Sequence, residues 1–91
     1  MIARQVFIIG RVQGVGYRDW LRSKARQNGL SGWVRNRLDG SVEALLVGAP
    51  GEVANLITAC HRGPPLARVE QIIEAEAELP EAAGFHRLPT L

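Results

Sequence analysis

Apolar residues in this chain follow two different periods, and the places where one gives way to the other mark its elements. Gln5-Val6-Phe7-Ile8-Ile9 is a run of β-branched and aromatic residues that suits a strand over residues 4–12. Asp19-Trp20-Leu21-Arg22-Ser23-Lys24-Ala25-Arg26 is rich in helix formers and predicts a helix from about residue 18 to 28, with Gly29 placed to end it. Two further strands are expected over 31–38 and 41–47, joined through Leu38-Asp39-Gly40-Ser41, whose Asp-Gly pair favours a tight hairpin turn. Val53, Leu56, Ile57 and Cys60 recur at i, i+3, i+4 and i+7, the spacing of one helical face. A second helix is therefore expected over 51–62, with Pro50 near its start and Gly63-Pro64-Pro65 ending it. The order to that point is βαββα. Beyond it, Leu66 to Leu79 has helix-like apolar spacing and strong helix formers, and propensity alone predicts a third helix there.

The first change of period falls in Gly10-Arg11-Val12-Gln13-Gly14-Val15-Gly16-Tyr17-Arg18, which joins the first strand to the first helix with little side-chain bulk. Gly14 and Gly16 remove the steric bar to φ > 0, so the backbone can turn sharply and its successive N–H groups can converge on an anion at the helix start. Arg18 falls in the first helical turn, where a cation opposes the helix dipole by about 0.3–1 kcal/mol and needs a compensating anion. A bound phosphate would supply one. Two known phosphate motifs do not fit: G-x-G-x-x-G would need a third glycine where Asp19 stands, and a Walker-type loop needs a Gly-Lys-Ser/Thr that is absent.

Gly10-x-Val12-Gln13-Gly14-Val15-x-Tyr17-Arg18, followed by Gly32-Trp33-Val34-x-Asn36-x-x-Asp39-Gly40-x-Val42-Glu43, resembles the paired signature of the acylphosphatases in residue type and in spacing. Gly63-Pro64-Pro65-x-Ala67-x-Val69 extends the likeness more loosely, so that it covers residues 4 to 73 or thereabouts. The resemblance implies a strand through about 67–76 in place of the third helix, and a short closing strand near Phe85-His86-Arg87-Leu88. The fold it implies is an α+β ferredoxin-like sandwich, βαββαβ plus an edge, with two helices covering one face of an antiparallel sheet. The activity it implies is hydrolysis of an acyl phosphate to a carboxylate and inorganic phosphate.

Composition and charge narrow the setting. Ninety-one residues are expected to form one domain with a modest core, and 46% hydrophobic and 22% charged residues are ordinary for a globular chain. The longest apolar run, Val6 to Ile9, is too short for a membrane span, no secretory signal opens the chain, and a cytoplasmic protein is expected. Net charge is only +2, but residues 1–37 hold eight basic residues against Asp19 alone, while the remainder holds three arginines against eight acids. The positive half contains the loop, and its field favours a small anionic ligand. Cys60 has no cysteine to pair with and, lying on the apolar helix face, reads as core. With only His61 and His86 besides it as soft ligands, and neither assigned a role, no metal and no cofactor are expected.

An acyl phosphate is an activated anhydride with a good leaving group, so the catalyst must mainly hold the phosphoryl oxygens and place one water in line. The substrate-binding set expected is Gln13, Gly14, Val15, Gly16, Tyr17 and Arg18, with backbone N–H groups from about Val15 to Arg18 on the oxygens, Gln13 shaping the loop and the Tyr17 ring anchoring it. Arg18 is expected to be catalytic, since a planar guanidinium makes two parallel hydrogen bonds that a lysine cannot reproduce. Asn36 is the second catalytic candidate: the resemblance implies that it holds the water, and a carboxamide has the donors and acceptor for that. No carboxylate or histidine is placed as an obvious general base, so a phosphoryl oxygen of the substrate is one candidate for the proton acceptor, which sequence alone does not settle. Gly32 and Trp33 read as packing residues. The expected partner is a small-molecule acyl phosphate, with inorganic phosphate or sulfate as a site ligand, and neither nucleic acid nor membrane; a monomer is expected. Two other classes compete. An RNA-recognition module shares the layout but needs stacking aromatics on the central strands, and Ser41-Val42-Glu43-Ala44-Leu45-Leu46-Val47 has none. A non-catalytic accessory domain, like the one that opens the large hydrogenase-maturation carbamoyltransferases, is the other.

Overall fold

A computed structural model describes residues 1–91. Its elements are β1 (Ile2–Arg11), α1 (Tyr17–Gln27), β2 (Ser31–Asn36), β3 (Val42–Gly48), α2 (Pro50–Cys60), β4 (Arg68–Glu76) and β5 (Phe85–Arg87). The sheet order is β4-β1-β3-β2-β5. Both helices lie on one face, as in the ferredoxin-like sandwich, because α1 (Tyr17, Leu21, Ala25) and α2 (Val53, Leu56, Ile57, Cys60) share one buried cluster with Val6, Ile8, Val34, Val42, Ala44 and Leu46. Leu21 and Leu46 are fully buried, so truncating either to alanine should cost about 2–5 kcal/mol.

Local chemistry explains the boundaries. After α1, the Leu30 N–H reaches the Ala25 carbonyl at 2.9 Å and the Gly29 N–H reaches Arg26 at 3.2 Å, a Schellman closure that needs the positive φ of Gly29. Between β2 and β3, the Arg37 carbonyl accepts from the Gly40 N–H, while Asp39 Oδ1 accepts from the Ser41 N–H at 2.9 Å and from its hydroxyl at 2.6 Å. The hairpin is thereby stiff at the end where Asn36 sits.

The tail is where propensity fails. Residues 68–76 form a strand, not a third helix, because β1 offers an open edge and pairs with it from Arg4↔Glu76 to Arg11↔Arg68. Val69 and Ile72 turn toward the core, which is all the apolar burial this edge provides. A second correction concerns the sheet, which is not wholly antiparallel: β5 runs parallel to β2, in the register Gly32↔Phe85 to Val34↔Arg87. The reason is topological. β4 finishes at the end of the sheet from which β2 starts, and residues 77–84 cross beneath to the far edge, so β5 enters alongside β2 in the same direction. Two hydrogen bonds from Arg26 to the Phe85 carbonyl, 2.9 and 3.2 Å, hold this short strand, and Phe85 fills the core. The chain then continues along β2, where the Leu88 N–H donates to Val34, and the Leu91 N–H to Asn36.

Candidate active site

The alternation of strand directions brings the end of β1, the start of α1, the end of β2 and the residues of β5 to one end of the sheet. A pocket of about 120 Å³ opens there, lined by Val12, Gln13, Gly14, Gly16, Tyr17, Arg18, Asp19, Asn36 and Arg87. β1 bends into the loop at a register shift between Ile9 and Gly10. Gly14 (φ 73°) and Gly16 (φ 80°, ψ 20°) then adopt left-handed conformations, the second of them at the N-cap of α1. No side chain caps this helix. The first N–H past the loop to find a backbone acceptor is that of Trp20, which donates to Gly16 at 3.0 Å, and the six N–H groups from Gly14 to Asp19 donate to nothing in the chain. Such a row of free N–H groups at a positive helix end is suited to an anion.

Side chains complete it. Arg18 forms no ion pair or hydrogen bond within the chain. Asn36, the last residue of β2, has its Oδ1 shielded from solvent and without a hydrogen-bond partner. A buried unpaired acceptor costs about 1–3 kcal/mol, so its persistence at a pocket wall marks a place where a ligand or water belongs. Gly14, Gly16, the first turn of α1, the Arg18 guanidinium and the Asn36 carboxamide all border one small pocket, and the fold uses neither side chain.

Three residues of the anticipated binding set hold the loop without offering a free side-chain group to the pocket, Gln13 shaping it and Tyr17 anchoring it as expected. The Gln13 carboxamide nitrogen donates to the Arg37 carbonyl at 2.8 Å and to the Ser41 carbonyl at 2.9 Å, so its donors are spent tying the loop to the β2–β3 hairpin. Val15 does not line the pocket and packs partly buried against the core. The Tyr17 hydroxyl donates to the Cys60 carbonyl at 2.6 Å, so its ring anchors the loop on α2 and its oxygen is closed to any ligand. Burial, with the Cys60 side chain beside it, raises that phenol above its ordinary range, and burial pushes the Cys60 thiol up to about 12. Cys60 is a neutral core residue.

Two charged residues of the pocket, Asp19 and Arg87, have no site role in the sequence analysis. Arg87 Nη1 donates to Asp19 Oδ1 at 2.7 Å, and Arg22 approaches the same oxygen at 3.4 Å. The hydrogen bond from Arg87, and then the charges of Arg87, Arg22 and Arg18, hold the Asp19 carboxyl below the usual carboxylate range. Asp19 is thus fixed as an anion, while Arg87 brings a second guanidinium to the wall. Nothing in the local pattern pairs residues 68 positions apart. No group of three His, Cys, Asp or Glu side chains is arranged to hold a metal ion.

Fold and pocket together define a two-layer α+β domain in which a row of free backbone N–H groups, one unpaired arginine and one carboxamide border a single small pocket. The family model of acylphosphatase matches residues 4–87. The chain belongs to the acylphosphatase family. An acylphosphatase of Acidiphilium cryptum is 52% identical over 90 residues, covering 99% of each chain. Among solved structures, the acylphosphatase of Bacillus subtilis superposes with a TM-score of 0.91 at 34% identity over 97% of this chain and 99% of its own. That of Coxiella burnetii gives 0.92 at 31% identity over 96% and 92%.

Proposed function

We propose that this chain hydrolyses the carboxyl–phosphate bond of small acyl phosphates, with the Gly14–Asp19 backbone and Arg18 holding the phosphoryl group and Asn36 holding the attacking water. The observation that carries the assignment is the convergence of donors left unused by the fold on one pocket, in a member of this family. Backbone N–H groups and the guanidinium fork take the equatorial oxygens, and they act best on charge spread over the transition state. The Asn36 carboxamide accepts from the water and orients it in line with the leaving carboxylate. Asp19 is a poor base because Arg87 holds it ionised, so the water's proton passes to a phosphoryl oxygen of the substrate.

The reaction as drawn runs on hydrogen bonds alone, and we place it in a cytoplasmic, single-domain monomer that acts without metal. The RNA-binding alternative is not favoured, since β3 carries no aromatic residue, the acid Glu43 stands beside Phe7 on the open face, and Arg35 lies over the Trp33 ring. Nor is the accessory-domain reading, given relatives that bear the enzyme's name and match over nearly their whole length. The test is hydrolysis of acetyl phosphate and benzoyl phosphate in the presence of chelator. Turnover that survives chelation and is inhibited competitively by inorganic phosphate is expected; activity abolished by chelator, or non-competitive inhibition, would contradict the site.

A further inference from the structure

On the face of the sheet opposite the helices, one carboxylate gathers three side chains. Glu43, in the middle of β3, is buried with only 2% of its surface exposed. Gln5 Nε2 donates to it at 2.6 Å from β1, while Arg35 Nε and Arg37 Nη1 each donate to Glu43 Oε1 at 2.9 Å. Burial would raise the Glu43 carboxyl, but the hydrogen bonds from Arg35, Arg37 and Gln5 outweigh it and hold the group ionised below its usual range. Arg35 is fixed further by lying 4.8 Å over the Trp33 ring.

Arg35 and Arg37 are the neighbours of Asn36 on either side. Side chains alternate across a strand, so two flanking residues drawn to one face drive the residue between them to the other, where the pocket lies. The Arg37 carbonyl is meanwhile held from the loop by Gln13. The backbone that carries Asn36 is therefore gripped through two side chains below and one carbonyl above, just where β2 leaves the sheet and a strand end would otherwise fray.

We propose that Glu43 is a positioning residue for catalysis: by clamping Arg35 and Arg37 together it sets the direction of the Asn36 carboxamide. The inference rests on the water-holding reading of Asn36. A buried ion pair that served only the fold would act on stability and leave kcat of the folded enzyme unchanged, and one that acted on the site independently of Asn36 would, on its loss, slow every variant by the same factor. A clamp acting through Asn36 behaves otherwise, since its loss has no consequence once the carboxamide is gone.

The experiment is a double-mutant cycle of Glu43→Gln with Asn36→Ala, read as kcat, KM and the inhibition constant of inorganic phosphate on benzoyl phosphate hydrolysis, with thermal midpoints alongside. Glu43→Gln should lower kcat about tenfold or more, the scale of a misplaced reacting group, with KM and phosphate inhibition nearly unchanged. In the Asn36→Ala background it should cost nothing further. Arg37→Met serves as the second probe, because that side chain is partly exposed and Glu43 keeps its hydrogen bonds from Arg35 and Gln5, and it should show the same pattern. A full kcat loss that multiplies with Asn36→Ala, or a Glu43→Gln enzyme of unchanged kcat, overturns the clamp while leaving the role of Asn36 intact. An Asn36→Ala enzyme of unchanged kcat overturns both, and is told apart by that single variant alone.

Discussion

Arg18 stands in the first turn of α1 with no partner in the chain, where the helix dipole opposes it, so an anion entering the pocket would stabilise its charge. Arg18→Lys should be nearly as damaging as Arg18→Ala, because a point charge replaces the two-pronged contact while the fold survives; steady-state kinetics of both variants checks this. A lysine enzyme of near-full activity would show that charge alone matters. Cys60 makes the converse case. Its thiol, held protonated up to about 12, should be inert to alkylating reagents in the native protein and react only on unfolding. The positions of both residues were legible from sequence, Arg18 at a helix start and Cys60 on an apolar helix face. Arg87 and Glu43 were not: Arg87 meets Asp19 only through the β5 crossover, and the meaning of Glu43 appears only when the register Arg35↔Glu43 is known.

At the scale of elements, the periodicities placed both helices and the first three strands within two residues of their observed ends. They failed at β4 because local propensity does not register an unfilled edge on β1, and edge burial is too sparse to leave a period-two signal. β5 is three residues long and was found by resemblance, while its parallel direction follows from the crossover alone. That strand has a functional consequence, since it delivers Arg87 to the pocket. Arg87→Ala should weaken phosphate inhibition about 2–5-fold, the value of one partly exposed charge, and leave circular dichroism unchanged. Gly32 is the element-scale weak point: at φ 128° a Cβ there would run into the Leu45 carbonyl of β3. Gly32→Ala should lower the thermal midpoint by several degrees or more, whereas alanine at exposed Gly51 should not.

For the molecule as a whole, charge is divided between a basic first part that carries the loop and an acidic remainder, so rising salt should weaken phosphate binding by screening. Stability should fall at both pH extremes. Glu43, Asp19 and Asp39 all have lowered folded-state values, so what they contribute is present above the ordinary carboxylate range and is lost as pH drops below it. Cys60 and Tyr17 are raised; the unfolded chain ionises first, so stability declines from about pH 9 upward as pH rises toward 12. The division of labour in the pocket, with the loop and Arg18 binding phosphate and Asn36 holding water, is tested most directly by Asn36→Ala. With circular dichroism confirming the fold, kcat for benzoyl phosphate and the inhibition constant of phosphate are measured on the same preparation. A fall in kcat on the order of 10²-fold or more, with phosphate inhibition nearly unchanged, is predicted. Loss of phosphate affinity in proportion to kcat would make Asn36 a binding residue and contradict the account.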